Sequence, residues 1–248
     1  MPPPLADRIA LVTGASRGIG HATALALARA GAHVVAVART VGGLEELDDA
    51  IRRLGGSATL VPLDLRDAAG IARLAAALNE RYHRLDVLIG NAGIGGPSSP
   101  LTHVEPKAWD DVMAINVTAN FQLIRHFEPL LRASDAGRVV FISSGGAHNA
   151  RAYRGPYDIS KAALVALART FAIETASTNI RVNLFNPGPT RTGLRAAVMP
   201  GEDPMTLPTP AEVAEKIVPL ALPSFAASGK LYDYRAGKLL AYGPPAAA

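Results

Sequence analysis

The sequence predicts a doubly wound α/β fold, a parallel sheet with helices on both faces. Short apolar runs rich in strand formers alternate with longer Ala/Leu-rich stretches, the pattern of parallel strands joined by crossover helices. Several of the short runs are apolar almost throughout, as strands covered on both faces should be. Strand candidates are 8–13, 32–38, 57–62, 85–90, 137–143 and 180–185. Helix candidates are 18–30, 42–54, 67–81, 107–133, 156–177 and 210–221, each long enough for a right-handed crossover. The 248 residues show no internal repeat and no linker between two composition regimes, so one domain over 1–248 is expected.

Taken in order, the first strand, Ile9-Ala-Leu-Val-Thr13, runs through a glycine turn into the first Ala/Leu helix. The second ends Val34-Val-Ala-Val-Ala38-Arg39, the third is followed by Leu63-Asp64-Leu65 and the fourth by Asn91-Ala92-Gly93. Glu128-Pro129 should bend or weaken the long helix over 107–133. Residues 187–210 hold six prolines and three glycines, which reads as a long loop with a short helix; 189–210 is a candidate lid over a ligand. The final Gly243-Pro-Pro-Ala-Ala-Ala248 reads as a loose tail.

Composition narrows the function classes. Apolar residues make up 49% and charged residues 19%, which is globular and outside the disordered range. The +4 formal charge is scattered, with no dense Lys/Arg run, so nucleic acid is not an expected partner. Without cysteine there is no disulfide, thiolate metal site or cysteine nucleophile, and six dispersed histidines lack metal-ligand spacing, so no metal is expected. The start Met-Pro-Pro-Pro-Leu-Ala-Asp-Arg has neither the basic nor the apolar part of a signal peptide, and no apolar run reaches bilayer length. A cytoplasmic protein without membrane contact is expected.

Gly14-Ala-Ser16-Arg17-Gly18-Ile19-Gly20, between a strand and a helix, is built for phosphate: glycines let the backbone approach a pyrophosphate, and the helix start presents free amides and a positive dipole. Its G-x₃-G-x-G spacing is not the common dinucleotide fingerprint. Thr13 to Gly20 closely resembles the cofactor loop of the short-chain dehydrogenase/reductase family. The resemblance implies that Gly14, Ser16, Arg17, Gly18, Ile19 and Gly20 bind a nicotinamide cofactor, that Asp64 and Leu65 hold its adenine, and that Asn91, Ala92 and Gly93 lie against it. An acid ending the second strand would bind the ribose 2′-hydroxyl. Ala38 stands there instead, and Arg39 with Arg17 can clamp a 2′-phosphate, so NADP(H) is preferred, with NAD(H) the alternative.

Tyr157-Asp-Ile-Ser-Lys161 places a phenol and an ammonium four residues apart on one helical face. A phenol with a pKa near 10 is a poor acid or base at neutral pH; an adjacent cation favours the phenolate. Ser144 lies 13 residues before the tyrosine, the family's spacing for its catalytic serine. Neighbouring Ser143 is the alternative, which strand alternation should point away. Asn116 matches the family's fourth catalytic position, where it helps hold a water that links the lysine to solvent. Pro187, Gly188, Thr190 and Thr192 resemble the segment beside the nicotinamide carboxamide, while Tyr157 and Lys161 also contact the cofactor. His148 could face the substrate. Arg154 reads as a solvated loop arginine, with contact to an acidic substrate as the alternative.

The resemblance covers about residues 7–200. It implies a Rossmann-type domain, usually a homodimer or homotetramer, that moves a hydride between NADP(H) and a small carbonyl or alcohol. In place of the family's common C-terminal Thr-Gly…Val-Asp-Gly-Gly run stands Ser228-Gly-Lys-Leu-Tyr-Asp-Tyr-Arg235-Ala-Gly, which leaves the tetramer and the substrate class open. Two rivals are a catalytically silent cofactor-binding regulatory protein and a dehydratase or epimerase on the same scaffold.

Overall fold

The computed structural model describes residues 2–242; the expected C-terminal tail lies outside them. The first half of the chain alternates β1 (Ile9–Thr13), α1 (Gly18–Arg29), β2 (His33–Ala38), α2 (Val41–Arg53), β3 (Ala58–Pro62), α3 (Ala68–Tyr82) and β4 (Val87–Gly90). Then come α4 (Pro106–Met113), a π-helical turn (Ala114–Thr118), α5 (Ala119–Ala133), β5 (Arg138–Ile142), α6 (Gly155–Glu174) and β6 (Arg181–Asn186). The chain ends through α7 (Gly193–Val198), α8 (Pro210–Ala221), β7 (Lys230–Asp233) and β8 (Lys238–Ala241).

All eight strands form one sheet in the order β3-β2-β1-β4-β5-β6-β7-β8, parallel except for β7–β8. This is the doubly wound architecture expected from the strand pattern, and the Rossmann-type domain that the resemblance implies. Alternation along the strands divides the core. Leu11, Val35, Leu88 and Phe141 pack under α3, α5 and α6, while Ala10, Val34, Ile89 and Val140 pack under α1, α2 and α8. A fully buried Leu or Phe contributes roughly 1.5–3 kcal/mol on each face. The strand order reverses between β1 and β4, so the crevice at their carboxyl ends is where an open α/β sheet takes a ligand.

Three features differ from the sequence reading. The β7–β8 hairpin was not expected: its strands are four residues each, and β8 is exposed throughout, so neither shows the apolar run that marks a buried strand. Pro129 does not break α5, which continues to Ala133. The irregularity falls earlier, in the π turn around Asn116.

Candidate active site

At the switch point a threonine ties two strand ends together. The Thr13 hydroxyl donates to the Ile89 carbonyl at 3.2 Å and accepts the Asn91 and Ala92 amides at 3.0 and 3.1 Å. Asn91 Nδ2 returns a bond to the Thr13 carbonyl at 2.8 Å. The chain then turns at Gly14 with φ +66°, where a Cβ would lie 2.9 Å from Asn91 Nδ2. A Cβ at Gly20 would collide with the Gly14 carbonyl. These two positions must be glycine for α1 to start this close to β4.

Unlike α3, capped by Asp67, or α8, closed by a Thr209/Glu212 capping box, α1 has no side-chain cap and no acid in its first turn. Its leading amides and positive dipole end therefore face the glycine turn uncompensated, which suits the pyrophosphate of a dinucleotide. Ser16 abuts the start of α2, Ile19 packs against the core, and Arg17 is exposed. Ala38 is buried and Arg39 exposed at the end of β2. Asp64 is gripped by Arg66, whose Nη2 donates at 2.6 Å; these bonds, helped by nearby Arg39, hold its carboxyl down at about 2. Leu65 belongs to the core.

The π turn explains how an asparagine sits in an apolar helix. It turns Asn116 inward, fully out of water, where Oδ1 accepts the Ile94 amide at 2.9 Å and Nδ2 donates to the Ile94 carbonyl at 3.0 Å and Ser160 Oγ at 2.9 Å. Ser160 Oγ in turn donates to the Tyr157 carbonyl at 2.7 Å. The loop after β4 is thereby pinned to α6. A Cβ on Gly93 would lie 3.2 Å from Asn116 Oδ1 and 3.6 Å from Lys161 Nζ, so that loop runs over both side chains.

Lys161 is buried and donates to the Ile142 carbonyl at 2.7 Å; burial pushes its pKa down to about 8. Burial also pushes the Tyr157 phenol up, opposed by a hydrogen bond from Ser144 and by the charges of Arg154 and Arg151. Arg154 and Arg151 thus add to the positive charge that favours the phenolate. Lys161, to which the sequence assigns that part, donates to Ile142 and keeps its ammonium 5.8 Å from the ring centroid. Ser144 opens a short turn, accepting the Gly146 amide at 3.2 Å, whereas Ser143 Oγ is buried without a partner.

Arg154 also departs from expectation. It is not a solvated loop arginine: Cζ lies 4.9 Å over the Tyr157 ring, and Nε and Nη1 are out of water without hydrogen-bond partners. His148 instead pairs with Tyr242, 3.3 Å away, beside a cavity of about 330 Å³ between residues 145–149 and the β7–β8 hairpin. Neither Tyr157 nor Lys161 lines that cavity.

Beyond β6, the Gly188 amide donates to Asn186 Oδ1 at 3.2 Å. Buried Thr190 turns its hydroxyl to the carbonyls of Pro187 and Gly188, at 3.4 and 3.3 Å. Thr192 caps α7 by accepting the Arg195 amide at 3.2 Å, and its methyl would lie 3.4 Å from a Cβ on Gly18. Leu194 and Val198 of α7 approach Gly95. Residues 189–210 thus cross the carboxyl end of the sheet from the start of α1 to the loop after β4.

The fold brings Asn116, Ser144, Tyr157 and Lys161 to one end of the sheet, with the glycine turn across the switch. Sequence reasoning missed Thr13, Ser160, Arg151 with its partner Asp158, and the Arg195–Glu202 pair. Ser160 was within reach, since its i+3 spacing from Tyr157 puts it on the same helical side.

A family model described as short chain dehydrogenase matches residues 8–203. The chain is 41% identical over 212 residues to the oxidoreductase YciK of Escherichia coli K12, covering 84% of each. A short chain dehydrogenase from Salmonella enterica superimposes with TM-score 0.90 at 38% identity, covering 94% of this chain and 98% of that one. A Shigella flexneri short chain dehydrogenase crystallised with NADP superimposes with TM-score 0.89 at 38% identity, covering 95% and 100%.

Proposed function

The chain belongs to the short-chain dehydrogenase/reductase family and is an oxidoreductase, and from that premise we propose that it transfers a hydride between NADP(H) and a small carbonyl or alcohol. The observation that carries this reading is the grouping of Tyr157 and the buried Lys161, 5.8 Å from its ring, at the carboxyl ends of β4 and β5, with Ser144 beside the phenol.

When bound, NADPH supplies the hydride. Ser144 donates a hydrogen bond to the substrate oxygen, and Tyr157 releases its proton as charge builds there. Arg154 and Arg151 stabilise the phenolate left behind. An ammonium has three donors, so Lys161 keeps two beyond its bond to Ile142 with which to hold ribose hydroxyls. The Asn116 carbonyl accepts Asn120 Nδ2 at 2.9 Å and, at the π turn, is the group to hold a water leading out to solvent. Oxidation runs these steps backwards.

Preference for NADP rests on Ala38, which leaves no carboxylate to repel a 2′-phosphate, with Arg17 and Arg39 exposed nearby. The NADP in the Shigella flexneri relative supports it. Gly14, Ser16, Gly18, Ile19 and Gly20 take the pyrophosphate, Asp64 and Leu65 the adenine side, and Asn91 to Gly93 with Pro187, Gly188, Thr190 and Thr192 the nicotinamide side. Residues 189–210 act as the lid. The chain works as one domain, in the cytoplasm, as a homodimer or homotetramer.

The test is titration with NADPH and NADH, followed by NADPH oxidation against ketones, aldehydes and β-keto esters. NADPH should bind at least about tenfold tighter, about 1.4 kcal/mol, and Ala38→Asp should reverse the order. Tighter NADH binding by the wild type would overturn the cofactor reading. Product formed without net NADPH oxidation would point to dehydration or epimerisation, and binding without any turnover to a silent regulator.

A further inference from the structure

Two arginines stand beside the phenol and a third, Arg195, stands near them, and they are not equivalent. Arg151 is held by Asp158, with Nη2 and Nε donating at 2.6 and 3.1 Å. Arg195 is held by Glu202, with Nε and Nη2 donating at 2.5 and 2.6 Å. Arg154 makes no side-chain hydrogen bond or ion pair among the described residues, although Nε and Nη1 are buried.

Its surroundings are hostile to a cation. Arg154 occupies the N-cap of α6, at the positive end of the helix, and cannot accept the amides there. Desolvation and the charge of Arg151 weaken its hold on a proton, against smaller opposite effects of Tyr157 and Asp158. The ring of Tyr157, 4.9 Å from Cζ, offers partial compensation by a cation–π contact. A guanidinium kept in such a place without a carboxylate is a recognition group awaiting an anion.

Its position says which anion. Gly155 abuts Leu101, Pro156 abuts Gly96, and Arg195 of α7 is among the charges that Arg154 senses, so it lies between the phenol and the lid. The part of a substrate beyond its reacting carbonyl would lie there. With Arg151 and Arg195 already neutralised, Arg154 is the one of the three guanidinium groups left unpaired, which matches a monoanion that takes a planar two-point bond. We propose that Arg154 binds a substrate carboxylate, so that the preferred substrates are short oxo acids and their hydroxy-acid products. This rests on the reductase reading and adds the substrate class to it.

The experiment compares acetoacetate and levulinate with their methyl esters. In the wild type, kcat/KM for the acids should exceed that for the esters by at least about tenfold. Arg154→Met should bring the ratio near one, and Arg154→Lys should keep part of it. The ratio cancels any change in Tyr157 protonation, which is common to both substrates. Equal turnover of acid and ester by the wild type, or a ratio unchanged in Arg154→Met, would overturn the proposal while leaving the reductase reading intact.

Melting temperature, with and without NADP(H), gives a readout free of turnover. Acids should raise it in the wild type and not in Arg154→Met, esters in neither. If nothing is reduced, the reductase reading fails alone: a rise confined to acids and to Arg154 still supports the carboxylate site, and no rise overturns it.

Discussion

Two buried polar clusters sit at opposite ends of the same strands. Near the amino ends of β1, β4 and β5, the Asp86 carboxylate is almost entirely out of water and accepts four groups. They are Arg8 Nη1 at 2.9 Å, the Ile9 amide at 2.8 Å, Ser134 Oγ at 2.6 Å and Arg84 Nε at 3.2 Å. That fills the roughly four lone-pair sites of a carboxylate. At the carboxyl ends, Lys161 has a single carbonyl, Ser143 Oγ has no partner, and Arg154 has two buried nitrogens without one. A saturated cluster joins elements; an unsaturated one holds chemical capacity at a cost in stability.

The sharpest way to separate them is Tyr157→Phe. It should lower kcat/KM by about 10²–10⁴, roughly 3–5 kcal/mol in the barrier, with the melting temperature unchanged or raised. Asp86→Ala should do the reverse. It strands the Ile9 amide and Ser134 and leaves Arg8 to Asp135 alone, so urea unfolding should show a loss of about 1–3 kcal/mol for each stranded donor while folded protein keeps its NADPH affinity.

Lys161→Met tests the cost directly. The folded pKa is depressed from 10.5 to about 8, so between those values the unfolded chain binds more protons and wild-type stability rises with pH. Relative to wild type, Lys161→Met should gain about 3 kcal/mol more below pH 8 than above pH 10.5, read from unfolding curves across that window, and lose activity throughout. In the wild type the rate of reduction should fall as pH rises through 8 and Lys161 discharges. Smallest is Ser143→Ala, which removes a buried hydroxyl without a partner and should leave stability unchanged or raise it by about 1 kcal/mol in the same assay, whereas Ser144→Ala should slow turnover.

What could be read from the sequence was local. Six strands showed as apolar runs, the glycine turn as a spacing of three residues, and Tyr157 and Lys161 as one helical turn. What could not be read depends on groups far apart in the chain. Asp86 gathers Arg8 from 78 positions away, and Leu101 packs against the start of α6 beside Arg154. The inward aim of Asn116 needed a wider helical turn that no residue type announces. Short β7 and β8 gained their order from pairing along β6, which a reading of composition does not contain.

The π turn at Ala114–Thr118 means that the path from α4 to α5 holds one amino acid more than a regular helix would use. Removing one there would restore ordinary pitch, but it would swing all of α4 by about 100° about its axis. Val112 would leave its place under Gly96, and the carboxamide its two bonds to Ile94. A single deletion that repairs local geometry would thus unseat both the loop after β4 and the side chain that anchors it, so this stretch should tolerate changes of letter far better than changes of length.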